Sequence, residues 1–325
     1  MIHTRLCDIL EIEHPIISAP MSGTATAELA AAVSEAGGLG MIGAWPAKGP
    51  DWLREQIRFA RERTRAPFGV GFISSAPNVA ELVQVAMEER VPVISHSFSD
   101  PTPYVAAAHE AGIKVLAQVQ KVSHARKVAA GGVDVITAQG TEAGGHTGYS
   151  GTLPLVPAVI DAVGDIPVVA AGGIADGRGL AAMLMLGAEG VWLGTRFVMS
   201  REAIGADWLK QRAVEASTDD TILTKAYDFT WDAPFPRDIG DRVLKNEFTA
   251  QWHGRRDDEV ATHREELTKK LLAATDAGDA RTASVQVGNA TGLVSSVEPA
   301  GDIVRRLIED AETILRNRPG RLLKD

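Results

Sequence analysis

Apolar positions in the first two hundred residues alternate between two spacings. Short β-branched or apolar runs recur, and each is followed by a stretch in which apolar residues repeat as they do in an amphipathic helix. The runs predict eight strands, at residues 14–20, 39–42, 68–73, 92–95, 114–118, 132–138, 167–176 and 190–197. The stretches that follow them predict helices at 26–36, 51–63, 78–90, 103–111, 123–130, 155–163, 178–186 and 206–215.

Eight strand–helix units in series favour one fold. Strands that are apolar along their length are typical of parallel sheets buried on both faces. An open sheet rarely needs eight such units, whereas a closed (β/α)₈ TIM barrel needs that number and uses about 250 residues. Glycines at predicted helix ends, as in 35–38 and 185–187, fit left-handed C-terminal turns. The sequence therefore predicts an α/β protein built on a (β/α)₈ barrel.

The alternation stops near residue 216. Residues 218–252 contain prolines, glycines and much of the aromatic content, and 253–277 has the pattern of a charged amphipathic helix. A last amphipathic helix is predicted to begin at Pro299 and to stop at Pro319. We expect the barrel to comprise residues 1–215 and 289–325. Residues 216–288 are predicted to form an additional, mostly helical segment over the barrel mouth, as a lid on the substrate site.

Residues 38–43 match G-x-G-x-x-G, the glycine pattern of dinucleotide-binding turns. That mechanism needs the glycines after a strand and at the start of a helix. Here they follow a predicted helix and run into a strand, and no acidic residue ends the next strand. A dinucleotide-binding sheet is therefore disfavoured.

Composition narrows the class of protein further. The chain has 325 residues, a formal net charge of −9 and one cysteine, Cys7. An acidic surface opposes binding to nucleic acid, and a lone cysteine is usual in a reducing cytoplasm. No apolar run approaches the ~20 residues of a membrane span, and charges interrupt the N-terminal residues where a signal peptide would be apolar. We expect a soluble, cytoplasmic protein without nucleic-acid or membrane partners.

Glycine-rich turns follow the last two predicted barrel strands. In barrels the chemistry lies at the carboxyl ends of the strands, and a phosphate often binds in the loops after strands seven and eight. Gly172, Gly173, Gly194 and Thr195 stand at those two ends. Glycine lets main-chain N–H groups approach a phosphate closely, and a threonine adds a hydroxyl donor. The turns therefore predict a phosphate-bearing cofactor.

One histidine, His146, lies in the glycine-rich stretch 140–148 that follows the sixth strand. Its ordinary pKa near neutrality suits a base that takes a proton from a weak carbon acid, so we predict that His146 is catalytic. His96 follows the fourth strand on the same face and is predicted to line the substrate pocket or to serve as a second acid–base group. The sequence has no cluster of histidines and cysteines, so no bound metal is expected.

Three charged residues near these turns have open roles. Arg178 and Arg196 could each be the countercharge of a phosphate, and Arg196 could equally form a structural ion pair. Glu142 could orient His146 or simply face water.

The sequence resembles the nitronate monooxygenase family of FMN-dependent barrels. Matching segments occur in order: His-Pro-Ile-Ile-Ser-Ala-Pro-Met at 14–21, Ala-Gly-Gly-Leu-Gly at 36–40, Pro-Phe-Gly-Val-Gly at 67–71, Gly-Thr-Glu-Ala-Gly-Gly-His at 140–146, Ala-Ala-Gly-Gly-Ile-Ala-Asp-Gly at 170–177 and Leu-Gly-Thr-Arg-Phe at 193–197. The fourth and fifth are specific for the superfamily and much less specific for the reaction.

The resemblance implies an FMN over the barrel mouth and His146 in the family's catalytic-base position. The residues implied to bind the cofactor are Pro20, Met21, Ser22, Gly71, Gln118, Gln139, Gly145, Gly172, Gly173, Gly194 and Thr195. Gly71 stands where family members commonly have asparagine, so one hydrogen bond is either missing or supplied by Ser74 or Ser75. Residues 230–237 also depart from the family's usual segment, which leaves the substrate pocket open.

The reaction implied by the resemblance is oxidation of an alkyl nitronate by O₂ to a carbonyl compound and nitrite. For neutral nitroalkanes, His146 would first remove the α-proton, and NAD(P)H would not be required. Two alternatives stay open: an NAD(P)H-dependent FMN reductase of the same superfamily, acting on enoyl thioesters or quinones, and a non-catalytic sensor of a phosphate ligand. The sequence also leaves the oligomeric state open, a homodimer included.

Overall fold

The computed structural model describes residues 1–323, so the last two positions of the predicted barrel segment 289–325 lie outside the described residues. Eight parallel strands form the central sheet, in the spatial order β1-β9-β8-β6-β5-β4-β3-β2. They are β1 (Ile16–Ser18), β2 (Gly40–Gly43), β3 (Phe68–Ile73), β4 (Val93–Ser97), β5 (Lys114–Val119), β6 (Val135–Gln139), β8 (Val168–Ala171) and β9 (Gly190–Leu193).

The sheet closes between its first two strands. The N–H of Ser18 donates to the carbonyl of Leu39 at 3.0 Å, and the N–H of Leu39 donates to Ile16 at 2.8 Å. Closure and the alternation of strands with helices confirm the predicted (β/α)₈ barrel. The glycines of the sequence 38–43 run into β2 as predicted, and a Cβ atom on Gly40 would lie 1.8 Å from the carbonyl oxygen of Ala30. Glycine is therefore needed there so that the preceding helix can pack on the strand.

Helices surround the barrel and continue beyond it. The barrel helices are α2 (Ala27–Glu35), α3 (Gly49–Arg63), α4 (Val79–Glu88), α5 (Thr102–Glu110), α6 (Val122–Ala130), α7 (Thr152–Val163), α8 (Gly177–Met185), α9 (Thr195–Val198) and α10 (Asp207–Glu215). The others are α1 (Arg5–Leu10), α11 (Ala226–Trp231), α12 (Glu247–Trp252), α13 (Asp257–Ala261), α14 (Arg264–Ala277), α15 (Ala300–Asn317) and α16 (Pro319–Leu322). None of the helices in residues 1–323 is long and apolar enough to cross a membrane.

Two apolar layers hold the barrel together. The larger lies between the strands and the helices, and α15 joins it by packing against α8 and α2. The smaller fills the barrel interior, with side chains such as Met41, Leu116 and Trp192, and includes Leu6 and Leu10 of α1. The interior is a packed core, so the carboxyl ends of the strands are left as the place for a site.

The segment after α10 contains a small sheet besides its helices α11–α14. It contributes β10 (Thr221–Thr224) and β11 (Gly240–Leu244), which form an antiparallel sheet with β7 (Gly145–Thr147) in the order β10-β11-β7. His146 therefore lies in a short strand and not in a free loop. The predicted helix 253–277 is shorter and divided: Gly254, just after α12, has a φ of 80°, and the helical residues are split into α13 (Asp257–Ala261) and α14 (Arg264–Ala277).

Candidate active site

A cavity of about 530 Å³ opens at the carboxyl ends of the barrel strands. The barrel supplies one part of its wall, and residues of the added segment, such as Trp231, Phe235 and Gln286, supply the other. Eleven of the predicted site residues line it: Pro20, Met21, Ser22, Gln118, Gln139, Gly145, His146, Gly172, Gly173, Gly194 and Thr195. Gly71 and His96 do not.

One side of the cavity presents main-chain donors. Strands β8 and β9 are neighbours, so their carboxyl ends bring Gly172 and Gly173 close to Gly194 and Thr195. Within residues 1–323, the N–H groups of these four residues donate to no other protein group; we call them the amide row. Gly172 and Gly173 have φ values of 100° and 75°, a conformation that side-chain-bearing residues rarely adopt. The strand ends thus place four N–H groups without a protein acceptor in residues that line the cavity, which suits an anion.

The two arginines near this side are engaged elsewhere. Arg196 donates to a carboxylate oxygen of Glu298 at 2.5 Å and is largely buried, so it is the structural pair that the sequence left open. Arg178 pairs with Asp176, whose carboxylate caps the start of α8. Neither lines the cavity. In the described chain, an anion at the amide row would therefore be held by N–H donors and the hydroxyl of Thr195 and not by arginine.

Three glutamines connect the cavity floor to His146. Gln120 donates to the side-chain oxygen of Gln139 at 2.8 Å, and Gln139 donates to the main-chain carbonyl of His146 at 3.2 Å. Gln118 lines the cavity on the adjoining strand. The contacts fix the side chain of Gln139 and leave Gln118 facing the cavity. Gln120 was not predicted, because nothing in the sequence separates it from other strand-end polar residues.

The surroundings of Gly71 explain its departure from asparagine. A Cβ atom there would lie 2.2 Å from the ring of Pro20 and 2.6 Å from the hydroxyl of Ser95. The hydroxyl of Ser74 instead bonds His96 at 2.9 Å, so the predicted replacement by Ser74 has no support in this geometry. Any side chain at position 71 would displace Pro20, a predicted cofactor contact.

His146 lines the cavity where the added segment pairs with the barrel, because β7 pairs with β11. Its Nε2 bonds a carboxylate oxygen of Asp228 at 2.7 Å, and both side chains are mostly buried (13% and 11% exposed). The ring of Phe235 stacks on the imidazole, with centroids 3.4 Å apart and planes 11° apart. Phe98 approaches edge-on at 6.1 Å. The imidazole is thus held by one hydrogen bond and two aromatic contacts.

A second carboxylate lies beside this histidine. Asp241 is directly opposite His146 in the β7–β11 register and is 2% exposed. Its two oxygens accept hydrogen bonds from the amide of Gln286, each at 3.0 Å. We call His146, Asp228 and Asp241 the charge cluster. All three line the cavity.

The cluster changes the proton affinity of its members. Burial of His146 favours the neutral ring, but the charge of Asp241 and the hydrogen bond and charge of Asp228 outweigh burial, so the pKa of His146 is raised above its ordinary value. Burial also raises the pKa of Asp241, and the neighbouring Asp228 adds to this, while His146 opposes it. The cavity wall therefore contains a histidine whose protonated form is favoured.

His96 is placed away from this cavity. Successive side chains of β4 alternate, so Ser95 faces the barrel interior and His96 faces the helix layer, where it stacks on Tyr104 with centroids 5.0 Å apart. The side chain is 0% exposed, and burial lowers its pKa to about 4. The geometry gives no support to its predicted substrate or acid–base role. A strand register, which sequence alone did not fix, decides the direction of this side chain.

Glu142 has neither of the roles that the sequence left open. Its carboxylate accepts from the N–H and the hydroxyl of Thr152 at the start of α7, at 2.9 and 2.8 Å. The group that orients His146 is Asp228, which is 82 positions away in the chain.

Known proteins are similar to this chain in sequence over most of its length. A family model described as nitronate monooxygenase matches residues 3–310. A probable nitronate monooxygenase of Staphylococcus aureus is 33% identical, over 96% of this chain and 98% of the relative. The (3aS,4S,5R,7aS)-5-hydroxy-7a-methyl-1-oxo-octahydro-1H-indene-4-carboxyl-CoA dehydrogenase of Mycobacterium tuberculosis is 40% identical over 70% of this chain, but the match spans only 64% of that relative.

A solved structure is similar over the whole chain. FabK from Thermotoga maritima is 40% identical and superposes with a TM-score of 0.89, covering 99% of this chain and 100% of that chain. The resemblance read from the motifs is thereby confirmed, and the hypothesis of a non-catalytic sensor is set aside. The chain belongs to the nitronate monooxygenase family and is an oxidoreductase of the flavoprotein kind.

Proposed function

We propose that the cofactor is FMN and that it lies across the cavity mouth. The amide row and the hydroxyl of Thr195 would hold its phosphate, since four free N–H donors match the oxygens of a phosphate. Pro20, Met21 and Ser22 would border the ring system, and Gln118 would bond it from the cavity floor. The fit rests on these N–H donors of residues that line the cavity.

We propose that the chain oxidises alkyl nitronates. Two nitronate anions and one O₂ would give two carbonyl compounds and two nitrite ions, which balances atoms and charge. The observation that carries the proposal is the charge cluster: a histidine with raised proton affinity at the cavity wall is suited to an anion such as a nitronate. Family membership and the probable nitronate monooxygenase of S. aureus support the same reaction.

Each residue around the substrate would have a physical task. Protonated His146 would donate from its ring to a nitronate oxygen, while Asp228 orients the imidazole. Residues 216–288, including Phe235 and Trp231, would exclude water from the site as a lid. A bound flavin supplies the electron transfer and the reaction with oxygen. For a neutral nitroalkane, the unprotonated fraction of His146 would take the α-proton.

The two substrate forms predict opposite responses to pH. The pKa of His146 is raised, so the ring is protonated below that pKa and neutral above it. For preformed nitronate, kcat/KM is expected to fall about tenfold per pH unit above the pKa, because the cation is lost. For neutral nitroalkane, kcat/KM is expected to rise through the same pKa, because the base is formed. Steady-state oxygen consumption against pH with both substrates measures this, and parallel profiles would contradict it.

The second candidate is an NAD(P)H-dependent reductase of the same superfamily. The observation that favours it is the similarity to FabK, an enoyl-acyl-carrier-protein reductase, and to a carboxyl-CoA dehydrogenase. The sequence motifs and the amide row are compatible with either reaction.

Anaerobic reduction separates the candidates. The purified protein is mixed with nitronate in one cuvette and with NADH or NADPH in another, and flavin absorbance is followed. Bleaching by nitronate with NAD(P)H inert supports the proposed oxidation. Rapid bleaching by NAD(P)H alone overturns it in favour of the reductase.

A further inference from the structure

The charge cluster contains one more carboxylate than the histidine requires. Asp228 already bonds Nε2 of His146 at 2.7 Å and so accounts for orientation of the ring. Asp241 makes no hydrogen bond to the imidazole, yet it is almost fully buried. A buried carboxylate is costly unless a charge compensates it. The burial of this second carboxylate therefore needs a physical explanation.

The partners of Asp241 do not neutralise it. Both of its oxygens accept from the amide of Gln286, which is a neutral donor. No lysine or arginine in residues 1–323 pairs with Asp241 or lines the cavity. The charged groups that face it are Asp228 from α11 and His146 from β7. The remaining titratable neighbour is Tyr227 of α11, whose own pKa burial raises, so that it stays neutral. Among the groups of residues 1–323 that face Asp241, His146 is the one that can carry a positive charge, and this charge opposes the rise in the pKa of Asp241 that burial and Asp228 cause.

The strand register gives the distance. Residues directly opposite in an antiparallel pair have Cβ atoms about 5 Å apart and on the same face of the sheet. Asp241 and His146 are such a pair, and both face the cavity. In a site mostly closed to water, the attraction between two charges at such a separation is screened much less than between exposed side chains. The geometry suits an interaction through space that needs no direct hydrogen bond.

We propose that Asp241 is a positioning residue that keeps His146 in its protonated, anion-binding form by its charge across the β7–β11 pair, with Gln286 as its anchor. Asp228 orients the ring and also favours its protonation, and Asp241 adds its charge through space. The role in catalysis rests on the proposed nitronate oxidation, because it is there that a cationic ring serves the substrate. The charge state itself can be measured without turnover.

The test measures the protonation of His146 directly. In the flavin-loaded protein with ¹³C-labelled histidine, the ring signal of His146 is assigned by its loss in His146→Gln and titrated by NMR. The unmodified protein is expected to titrate above the ordinary histidine value of about 6.5. Asp241→Asn, which keeps shape and removes charge, is expected to lower the midpoint by about one pH unit or more. His96 stays neutral across the range, since its pKa is about 4, and serves as an internal reference.

A matched control removes a different carboxylate from the same segment. Asp238 is half exposed and pairs with Lys121 at the surface, so Asp238→Asn should leave the His146 midpoint unchanged. An unmoved midpoint in Asp241→Asn would overturn the proposal. If that variant does not fold, a midpoint at or below about 6.5 in the unmodified protein overturns it equally.

Turnover then separates this proposal from the proposed function. With nitronate oxidation intact, Asp241→Asn should move the fall of kcat/KM for nitronate to lower pH by the same interval as the NMR midpoint. If no nitronate is oxidised but the midpoint moves, the reaction assignment fails and the role of Asp241 stands. If nitronate is oxidised and the midpoint does not move, the role of Asp241 fails and the reaction assignment stands.

Discussion

The amide row and the charge cluster line the same cavity with different chemical groups. The amide row consists of main-chain N–H groups held by the ends of two adjacent barrel strands. The charge cluster consists of side chains, and two of its three members come from the added segment. The amide row depends on backbone conformation and the charge cluster on electrostatics. Substitutions should therefore separate cofactor retention from chemistry.

The amide row and the charge cluster also differ in how substitutions affect them. A main-chain donor cannot be removed by substitution, but its approach can be blocked or its φ strained. A side chain in a buried cluster can be removed outright, and its partners then lose their compensation. We expect larger losses of activity on the side of the charge cluster and losses of cofactor on the side of the amide row.

The largest effect is expected for His146→Gln. Glutamine keeps a polar group but cannot carry the proton, so kcat/KM should fall by about 10²- to 10⁴-fold for nitronate and nitroalkane alike. Flavin content should stay near that of the unmodified protein, because the N–H donors of the amide row are untouched. The melting temperature should fall, because the buried Asp228 and Asp241 lose the positive charge beside them. Oxygen consumption measures kcat/KM, flavin absorbance measures the flavin content, and thermal denaturation measures the melting temperature. Retained turnover in a flavin-loaded variant would remove the assignment of His146.

Gly172→Ala should act on the amide row. A Cβ atom there would lie 2.9 Å from the carbonyl oxygen of Gly140 and from the hydroxyl of Thr152. The backbone must shift, and the affinity for FMN is expected to fall about tenfold, equivalent to about 1.4 kcal/mol. Isothermal titration of the stripped protein with FMN measures it, and kcat at saturating FMN should change little.

Gly164→Ala is the control for backbone strain. Gly164 also has a positive φ (65°), but a Cβ atom there meets nothing within 4 Å, and it lies in the turn after α7. Both variants should lose about 1–3 kcal/mol of stability, because alanine is strained at either positive φ. Only Gly172→Ala should lose FMN affinity. An equal loss in both would mean that the amide row does not hold the phosphate.

The sequence predicted the amide row far better than the charge cluster, for a physical reason. Backbone sites depend on local signals: apolar runs that become strands, followed by glycines that permit positive φ. Gly172, Gly173 and Gly194 carry such signals, and so does the barrel whose strands place them. The position of His146 was also readable, because the flanking glycines mark it.

The partners of His146 carried no such signal. Asp228 lies inside a short helix. Asp241 lies in β11, a strand of five residues, and the strand that pairs with it, β7, has three residues and lies about a hundred positions earlier in the chain. Strands of this length lack the repeated alternation that reveals a sheet. One clue was present: an aspartate between Gly240 and the apolar Val243–Leu244 run is an unusual strand residue. The direction of the His96 side chain had no local signal either, because it is decided by strand register.

The smallest effect is expected for Phe235→Leu, which tests whether packing or charge dominates at the charge cluster. The phenyl ring stacks on His146 at 3.4 Å, whereas the hydrogen bond of Asp228 and the charge of Asp241 reach the imidazole without it. Loss of an aromatic contact is worth about 0.5–1.5 kcal/mol, so KM for nitronate should rise about threefold while kcat is kept. Phe98→Leu, on the edge-on ring 6.1 Å away, is the matched control and should change KM less. A fall of kcat in Phe235→Leu as large as that in His146→Gln would show that stacking, and not the two carboxylates, makes the histidine competent.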